Sequence, residues 1–395
     1  MYRIYADGVI LHNPLLAQEG RIVIDPILTE ALNTHGSLRF SVAPTNPLYD
    51  ALEERNTKIK VVSDTNVNNK PWFGRVMSIE SGWNNTKVVF CEGELGCLND
   101  SIFGPFGFKG SPADLLSDVI YKYNQSDTSG YPLVVGNVSV IDPNNLIVRS
   151  SNLPATCWEV LDGKLFGSSL GGYIMPRYDK ATDTHYVDYL SLDAEDEYAH
   201  TVSQTIKFGK NLLDFSKSAS AEDVITVLVP YGAQFKPEDP EYEEEAPEPT
   251  GDPGDTIRDW DGNRLTIRSV NDDKNWIENA DGVAMWGRIV GWRVWDDVTV
   301  AANLKAKGEA WLAQQIWSSI SLEISAVDLA FVDGDIEQIQ VGDYVRCQSM
   351  PHNLNVLLLC TRKETHLTEL ENSAIILGAG LKTITDLMKQ EVDDI

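Results

Sequence analysis

From residue 33 onward, apolar and polar side chains alternate in short blocks that polar turns separate. Asn33 and Gly36 carry turn chemistry. Leu38, Phe40 and Val42 then fall on one face of an extended segment while Arg39 and Ser41 fall on the other, the period-two pattern of a half-buried strand. Pro44 and Pro47 end it, and residues 48–54 have room for one or two helical turns. Ile59 and Val61 alternate again as the next strand. Phe73, Arg75 and Met77 oppose Gly74, Val76 and Ser78 in a third, and Asn84-Asn85 makes a hairpin turn before residues 88–95. Short strands with polar turns predict an antiparallel sheet or a small barrel.

The period changes after Gly110. Ser111 is a good N-cap, Pro112 suits the first helical position, and Leu115, Leu116, Val119, Ile120 and Tyr123 recur at helical spacing. A second helix is expected over residues 154–166, with Cys157, Val160, Leu161 and Leu165 inward, and Gly171-Gly172 precedes two strands at 173–177 and 186–192. Two helices on a small sheet make an α+β domain. Strand spacing returns at 205–208, 213–218 and 224–231, and again at 263–269 and 286–295. A helix is expected from Asp296 or Asp297 as N-cap, carrying Leu304, Gly308, Trp311, Leu312 and Gln315 in one stripe, with Gly308 allowing close packing. Strands follow at 321–329, 344–347, 356–362 and 373–377, and a last helix at 383–392. The succession 59–61, 74–79, 88–94 is echoed in spacing by 344–346, 356–361, 373–377, a faint internal repeat.

Charge narrows the function classes. A net charge of −27 disfavours binding nucleic acid by phosphate neutralisation, which needs clustered Lys and Arg. Part of the acidity is local: between Lys236 and Thr256 lie nine acidic residues and five prolines, the composition of a solvated, disordered insertion. Apolar runs such as 356–360 are far shorter than a membrane span, and Met1-Tyr2-Arg3 leads into no secretory segment, so a soluble product made in the cytosol is expected.

Candidate chemistry is sparse. Cys91, Cys97, Cys157, Cys347 and Cys360 form no C-x-x-C pair and read as small buried residues. His12, His35, His185, His200, His352 and His366 fall in separate blocks without metal-ligand spacing. Residues 110–112 and 167–169 are not nucleophile elbows. Asp259, Asp261 and Asn263 occupy the first three alternate positions of an EF-hand-like loop, but Arg264 stands where that loop needs Gly and Val270 where it needs Glu. Accordingly no catalytic, cofactor-binding or metal residues are assigned, and no cofactor. The tryptophans leave a glycan-binding surface as an alternative to core or interface packing: Trp292 and Trp295 cannot share a face of an uninterrupted strand, which places at least one at an edge or interface.

The blocks Asn33-x-x-Gly36-Ser37, 44–49, Gly74-Arg75-Val76, Cys91-Glu92-Gly93, Gly110-Ser111-Pro112, 152–161, 169–172 and 286–295, continuing through the helix at 301–317, resemble the prophage tail protein family, also called prophage tail endopeptidase or phage minor structural protein. The resemblance implies a β-rich α+β fold with two similar antiparallel, tail-tube-like β-barrel domains and inserted α+β domains. On that reading, residues 1–102 form the first barrel, 103–202 an α+β insertion, 203–235 and 291–382 the second barrel, 236–290 an acidic insertion with a small β segment, and 383–395 a helical tail. It further implies a non-enzymatic, homotrimeric baseplate hub of the virion tail tip, assembled in the host bacterial cytoplasm. Its expected partners are the distal tail protein and tail tube, the tape-measure protein and a tip fibre or lysin. DNA would transit without specific binding, and the host cell surface would be met only indirectly. In such proteins lytic activity lies in downstream modules; the residues after the last expected strand are too few for one, so either the natural protein ends here or a longer one was truncated. A tail-associated endopeptidase or cell-wall hydrolase subunit and a glycan-binding receptor module are the alternatives.

Overall fold

The computed structural model describes residues 1–63, 70–126, 130–142, 145–168, 170–207, 212–219, 224–237, 240, 262–296, 298–318, 320–326, 330, 336–349 and 354–378. The expected acidic insertion lies almost wholly outside them, as do Asp259, Asp261, His352, Ser169 and the helix at 383–392. The chain divides into two compact units: residues 1–140, 149–218 and 321–395 form the first, and residues 141–148 and 219–320 the second.

A 13-stranded, mainly antiparallel sheet dominates the first unit. It contains two sets of six strands. In chain order the first set is Tyr2–Ala6, Ile24–Ala31, Ser37–Val42, Lys58–Ser63, Trp72–Ser81 and Lys87–Gly93; the second is His200–Lys207, Leu212–Ala219, Ile320–Ala326, Asp343–Ser349, Leu354–His366 and Ala374–Leu377. Numbered along the chain within each set, both follow the same spatial order, 2-3-6-5-4-1. The fifth strand is irregular in both, its register shifting between Val76 and Ser78 in one and between Cys360 and Arg362 in the other. One difference separates them: the first strand pairs antiparallel with the fourth in the first set and parallel in the second. The long strand Leu354–His366 also joins the sets, because residues 362–366 pair antiparallel with 27–31. Among the described residues the pairings trace an open path, so the expected closed barrels are not seen as rings of hydrogen-bonded strands.

The expected alternation has its physical outcome in two cores. Ile4, Leu38, Phe40, Val42, Ile59, Val61, Val76, Val89 and Cys91 pack under the first set, and Val202, Ile206, Val345, Cys347, Leu358, Cys360, Ile375 and Leu377 under the second. Each large apolar side chain removed from water contributes about 1.5–3 kcal/mol against the entropy of ordering the chain. Between the sets runs the α+β segment. Helix Pro112–Asn124 begins with the predicted Ser111 cap, completed by Asp114 as a capping box, and buries the predicted stripe. Strands Leu133–Val138, Thr184–Leu190 and Tyr173–Asp179 make a three-stranded sheet. The second helix is shorter than expected: Thr156 caps it, so it spans only Cys157–Leu161 before a wide turn over Asp162–Phe166.

In the second unit, Val227–Tyr231 is flanked by Ile277–Glu278 and Val290–Val294, and helix Ala301–Ser318 packs on it. Three expectations fail here. Residues 263–269 form no strand, because Asn263 follows Gly262 in the left-handed region (φ 57° and 64°) and the chain makes one bridge, Gln234 with Arg264, before a turn. The stretch 286–295 is split: Asn279 caps a helix over Ala280–Trp286, Gly287 at φ 80° ends it, and the strand starts only at Val290. The long helix starts at Ala301, later than expected, and Asp296 instead binds Arg264 at 2.5 Å. Gly308 does give close packing: a Cβ there would stand 2.9 Å from Ile277 Cδ1.

Candidate functional site

Strands of the first unit leave a cavity of about 90 Å³ between Glu30, Trp72, Tyr178, Gln338, Lys363 and Thr365, room for a few waters. Burial pushes the Glu30 carboxyl above the usual carboxylate range, with Lys363 and then Lys70 opposing it. Lys363 donates to the Ile339 carbonyl at 2.6 Å, and the Gln338 amide donates to the Tyr2 hydroxyl at 3.3 Å. The Gln338 Oε1 is buried without a partner. These groups make a polar seam behind the pairing of 27–31 with 362–366.

Ionic groups stitch the first strand set to its neighbours. Arg75 sits opposite Glu92 across the sheet and is 2% exposed. Its Nε reaches Glu92 Oε1 at 2.8 Å, and its Nη1 meets Asp100, which also accepts from Arg55 at 2.9 Å. Burial opposes the Arg75 charge, but the hydrogen bonds with Asp100 and Glu92 outweigh it and raise the guanidinium pKa. Glu94, at the start of the turn Glu94–Asp100, contacts the His185 ring inside a cage of Phe73, Tyr131 and Tyr178, with ring centroids 4.6, 4.8 and 5.0 Å away. Arg177 grips Asp188 bidentately at 2.6 and 3.0 Å. The pairs resemble structural clamps: each charge is answered within the fold.

The residues weighed in the sequence are dispersed. His12 is buried and accepts from the Val23 amide at 3.1 Å; burial lowers its pKa to about 4. His35 packs edge-on against Trp158, and burial, then Arg75, lower it to about 4. His200 places Nδ1 3.0 Å from Asp343 and Nε2 3.1 Å from Glu337, and His366 lies 3.4 Å from Glu364. Among the described residues no three His, Cys, Asp or Glu side chains are arranged to hold a metal ion. No disulfide forms among the five cysteines, which are all buried, and burial pushes the Cys91 thiol up and the Cys347 thiol up to about 12, far from thiolate chemistry. Ser168 Oγ donates to the Leu165 carbonyl and Ser111 caps its helix, so both hydroxyls serve local backbone. Arg264 binds Asp296 and the Gly232 carbonyl.

The tryptophans separate as strand geometry requires. On Val290–Val294, Trp292 is 71% exposed, whereas Trp295, just past the strand, is 3% exposed and meets Trp311 of the long helix edge-on at 6.4 Å. Arg293, which the sequence reading did not single out, lies 5.5 Å from the Trp295 ring centroid and 4.9 Å from that of Trp311. The signal was the Trp292-Arg293-Val294-Trp295 alternation, which on a strand puts Arg293 and Trp295 on the same side and Trp292 on the other.

The strand-rich α+β architecture is that of prophage tail proteins of known structure. The chain is similar to the tail protein from Neisseria meningitidis MC58 (13% identity, 95% of this chain and 96% of that chain, TM-score 0.57) and to the 43 kDa tail protein of prophage MuSo2 from Shewanella oneidensis (11%, 95% and 97%, 0.56). It is also similar to prophage tail protein gp18 from Listeria monocytogenes EGD-e (14%, 93% and 92%, 0.54). Residues 200–388 match the prophage endopeptidase tail family, so the family resemblance read from the sequence holds over that span. Comparison with curated proteins gives no match. No helix among the described residues is long and apolar enough to cross a membrane.

Proposed function

We propose that this protein is a structural hub of a phage or prophage tail tip, a homotrimeric ring between the tail tube or distal tail protein above and a fibre or lysin below. The observation that carries the reading is the repeated strand order, 2-3-6-5-4-1 in both six-strand sets. Two like wall segments per chain, in three copies, give six positions around an axis, which lets a threefold ring meet a sixfold tube. In the assembled ring the two sets curve into the two tube-like barrels, with residues 103–202 inserted between them and residues 236–290 inserted within the second. The net charge of −27 supports a channel whose walls repel DNA phosphates and let DNA or the tape-measure protein pass without sticking. The role is architectural, with no turnover by this chain.

Sedimentation and electron microscopy of the purified chain, alone and with the distal tail protein, test the reading. Rings of three copies are expected; a chain that stays monomeric in both conditions overturns it. One observation favours a second reading, a glycan-binding surface: the exposed Trp292 on an edge strand. Glycan-array binding that disappears in Trp292→Ala supports that alternative.

A further inference from the structure

In this structure several partly or fully buried arginines are answered by carboxylates, among them Arg75 by Glu92 and Asp100, Arg177 by Asp188 and Arg264 by Asp296, and others by a backbone carbonyl, as Arg149 is by that of Lys164. Arg293 breaks the pattern. Its guanidinium is half-buried over the faces of Trp295 and Trp311, and it has no hydrogen-bond acceptor and no ion-pair partner among the described residues. A second donor in the same cluster is unanswered: the Trp295 indole N–H is buried without an acceptor. The cluster belongs wholly to the second unit, where Val290–Val294 and the helix Ala301–Ser318 hold both rings.

Such a group is costly to leave alone. Burial lowers the Arg293 pKa, and no carboxylate among the described residues offsets it. Stacking on tryptophan offsets part of that cost and leaves the in-plane N–H donors unused. Because the rings restrain its torsions, the fork is ordered in advance, and an incoming acceptor meets a smaller entropy penalty.

We propose that Arg293 is a docking point for a carboxylate side chain presented by a neighbouring protein. Planar, bidentate acceptors match the guanidinium fork, which selects carboxylate and phosphate over neutral groups. The net charge of −27 decides between them: extended phosphate polymers are repelled at long range, whereas a single carboxylate carried on a protein surface is not held off by that field to the same degree. The exposed Trp292 lies on the opposite side of the strand and is outside the contact. The inference stands whether or not the chain forms a ring, since ring formation is read from particle mass and this contact from ligand binding.

The test uses the full chain and, as probe, acetyl-Gly-Glu-Gly amide, which carries one carboxylate, with inorganic phosphate and a single-stranded oligonucleotide as comparators. Nitrogen-resolved NMR follows the Arg293 Nε–H and the Trp295 indole N–H. The peptide is expected to shift both signals saturably, with affinity about tenfold weaker in Arg293→Lys, which keeps the charge but loses the fork, and no saturable shift of the Trp295 signal in Arg293→Gln. Arg293→Lys also guards against a folding artefact, because the stem and the charge remain. Absence of a saturable shift in the native chain overturns the proposal, as does an unchanged response in Arg293→Gln or tighter binding of phosphate or the oligonucleotide than of the peptide.

Discussion

Arg75 shows what a single side chain does for the first strand set. Replacing it by leucine removes one charge, takes the guanidinium from Glu92 and leaves Asp100 with the more exposed Arg55 alone. Breaking a buried pair from one side costs about 3–5 kcal/mol. Arg75→Leu is therefore expected to lower urea stability by that amount, and adding Glu92→Gln and Asp100→Asn should restore part of it. His12 sets a pH dependence of known sign. Its pKa drops from 6.5 to about 4 through burial, so the unfolded chain binds a proton between those values that the native chain refuses. Stability then falls as pH drops through that window, by an amount on the order of 3 kcal/mol for this group, and is fully present above pH 6.5. His35 acts in the same direction. Asn at position 12 keeps an acceptor for the Val23 amide but does not titrate; melting temperatures of His12→Asn should decline less between pH 6.5 and 4 than those of the native chain. An equal decline would remove His12 from the account.

At the scale of elements, glycines mark where strands approach too closely for a side chain. A Cβ on Gly93 would stand 1.8 Å from the His35 carbonyl oxygen, whereas one on Gly107 would meet nothing within 4 Å. Gly93→Ala is expected to lose about 3 kcal/mol or to fold poorly, and Gly107→Ala to melt within a degree or two of the native chain, both by thermal denaturation. The same elements explain how much was legible beforehand. Strands such as Ser37–Val42 and the helix Pro112–Asn124 were readable because periodicity and caps act locally. Tyr2–Ala6 and Val9–His12 were missed although Tyr2, Ile4 and Ala6 alternate and Asp7-Gly8, both at positive φ, makes the hairpin turn. Residues 263–269 mislead in the other direction: their spacing suits a strand, but Asn263 in the left-handed region breaks the extended run. Pairing of 27–31 with 362–366, and the meeting of Arg293 with Trp311, join residues far apart in sequence; no local pattern announces either.

For the whole molecule, the decisive feature is that two strand sets with separate cores share one sheet. Largely separate cores favour separate unfolding, because each set buries most of its apolar face on its own; the exception is a small cluster in which Leu32 packs with Tyr344 and Leu359. Shared backbone pairing opposes this. Five register pairs run from Arg362 with Ala31 to His366 with Ile27, and Thr365, 2% exposed, is the fourth of them, opposite Leu28. If coupling across this seam exceeds the difference between the two core stabilities, the first unit unfolds in one step. Hydrogen exchange should then show residues 38–42 and 345–347 opening with the same free energy. Thr365→Pro disrupts the strand at the seam while leaving both cores their apolar residues. It is expected to uncouple the sets, so that 345–347 exchange at lower free energy than 38–42 and a second transition emerges in denaturant. Exchange of the two regions at clearly different free energies in the native chain would mean that the seam is weaker than either core, and that the two sets are mechanically independent walls.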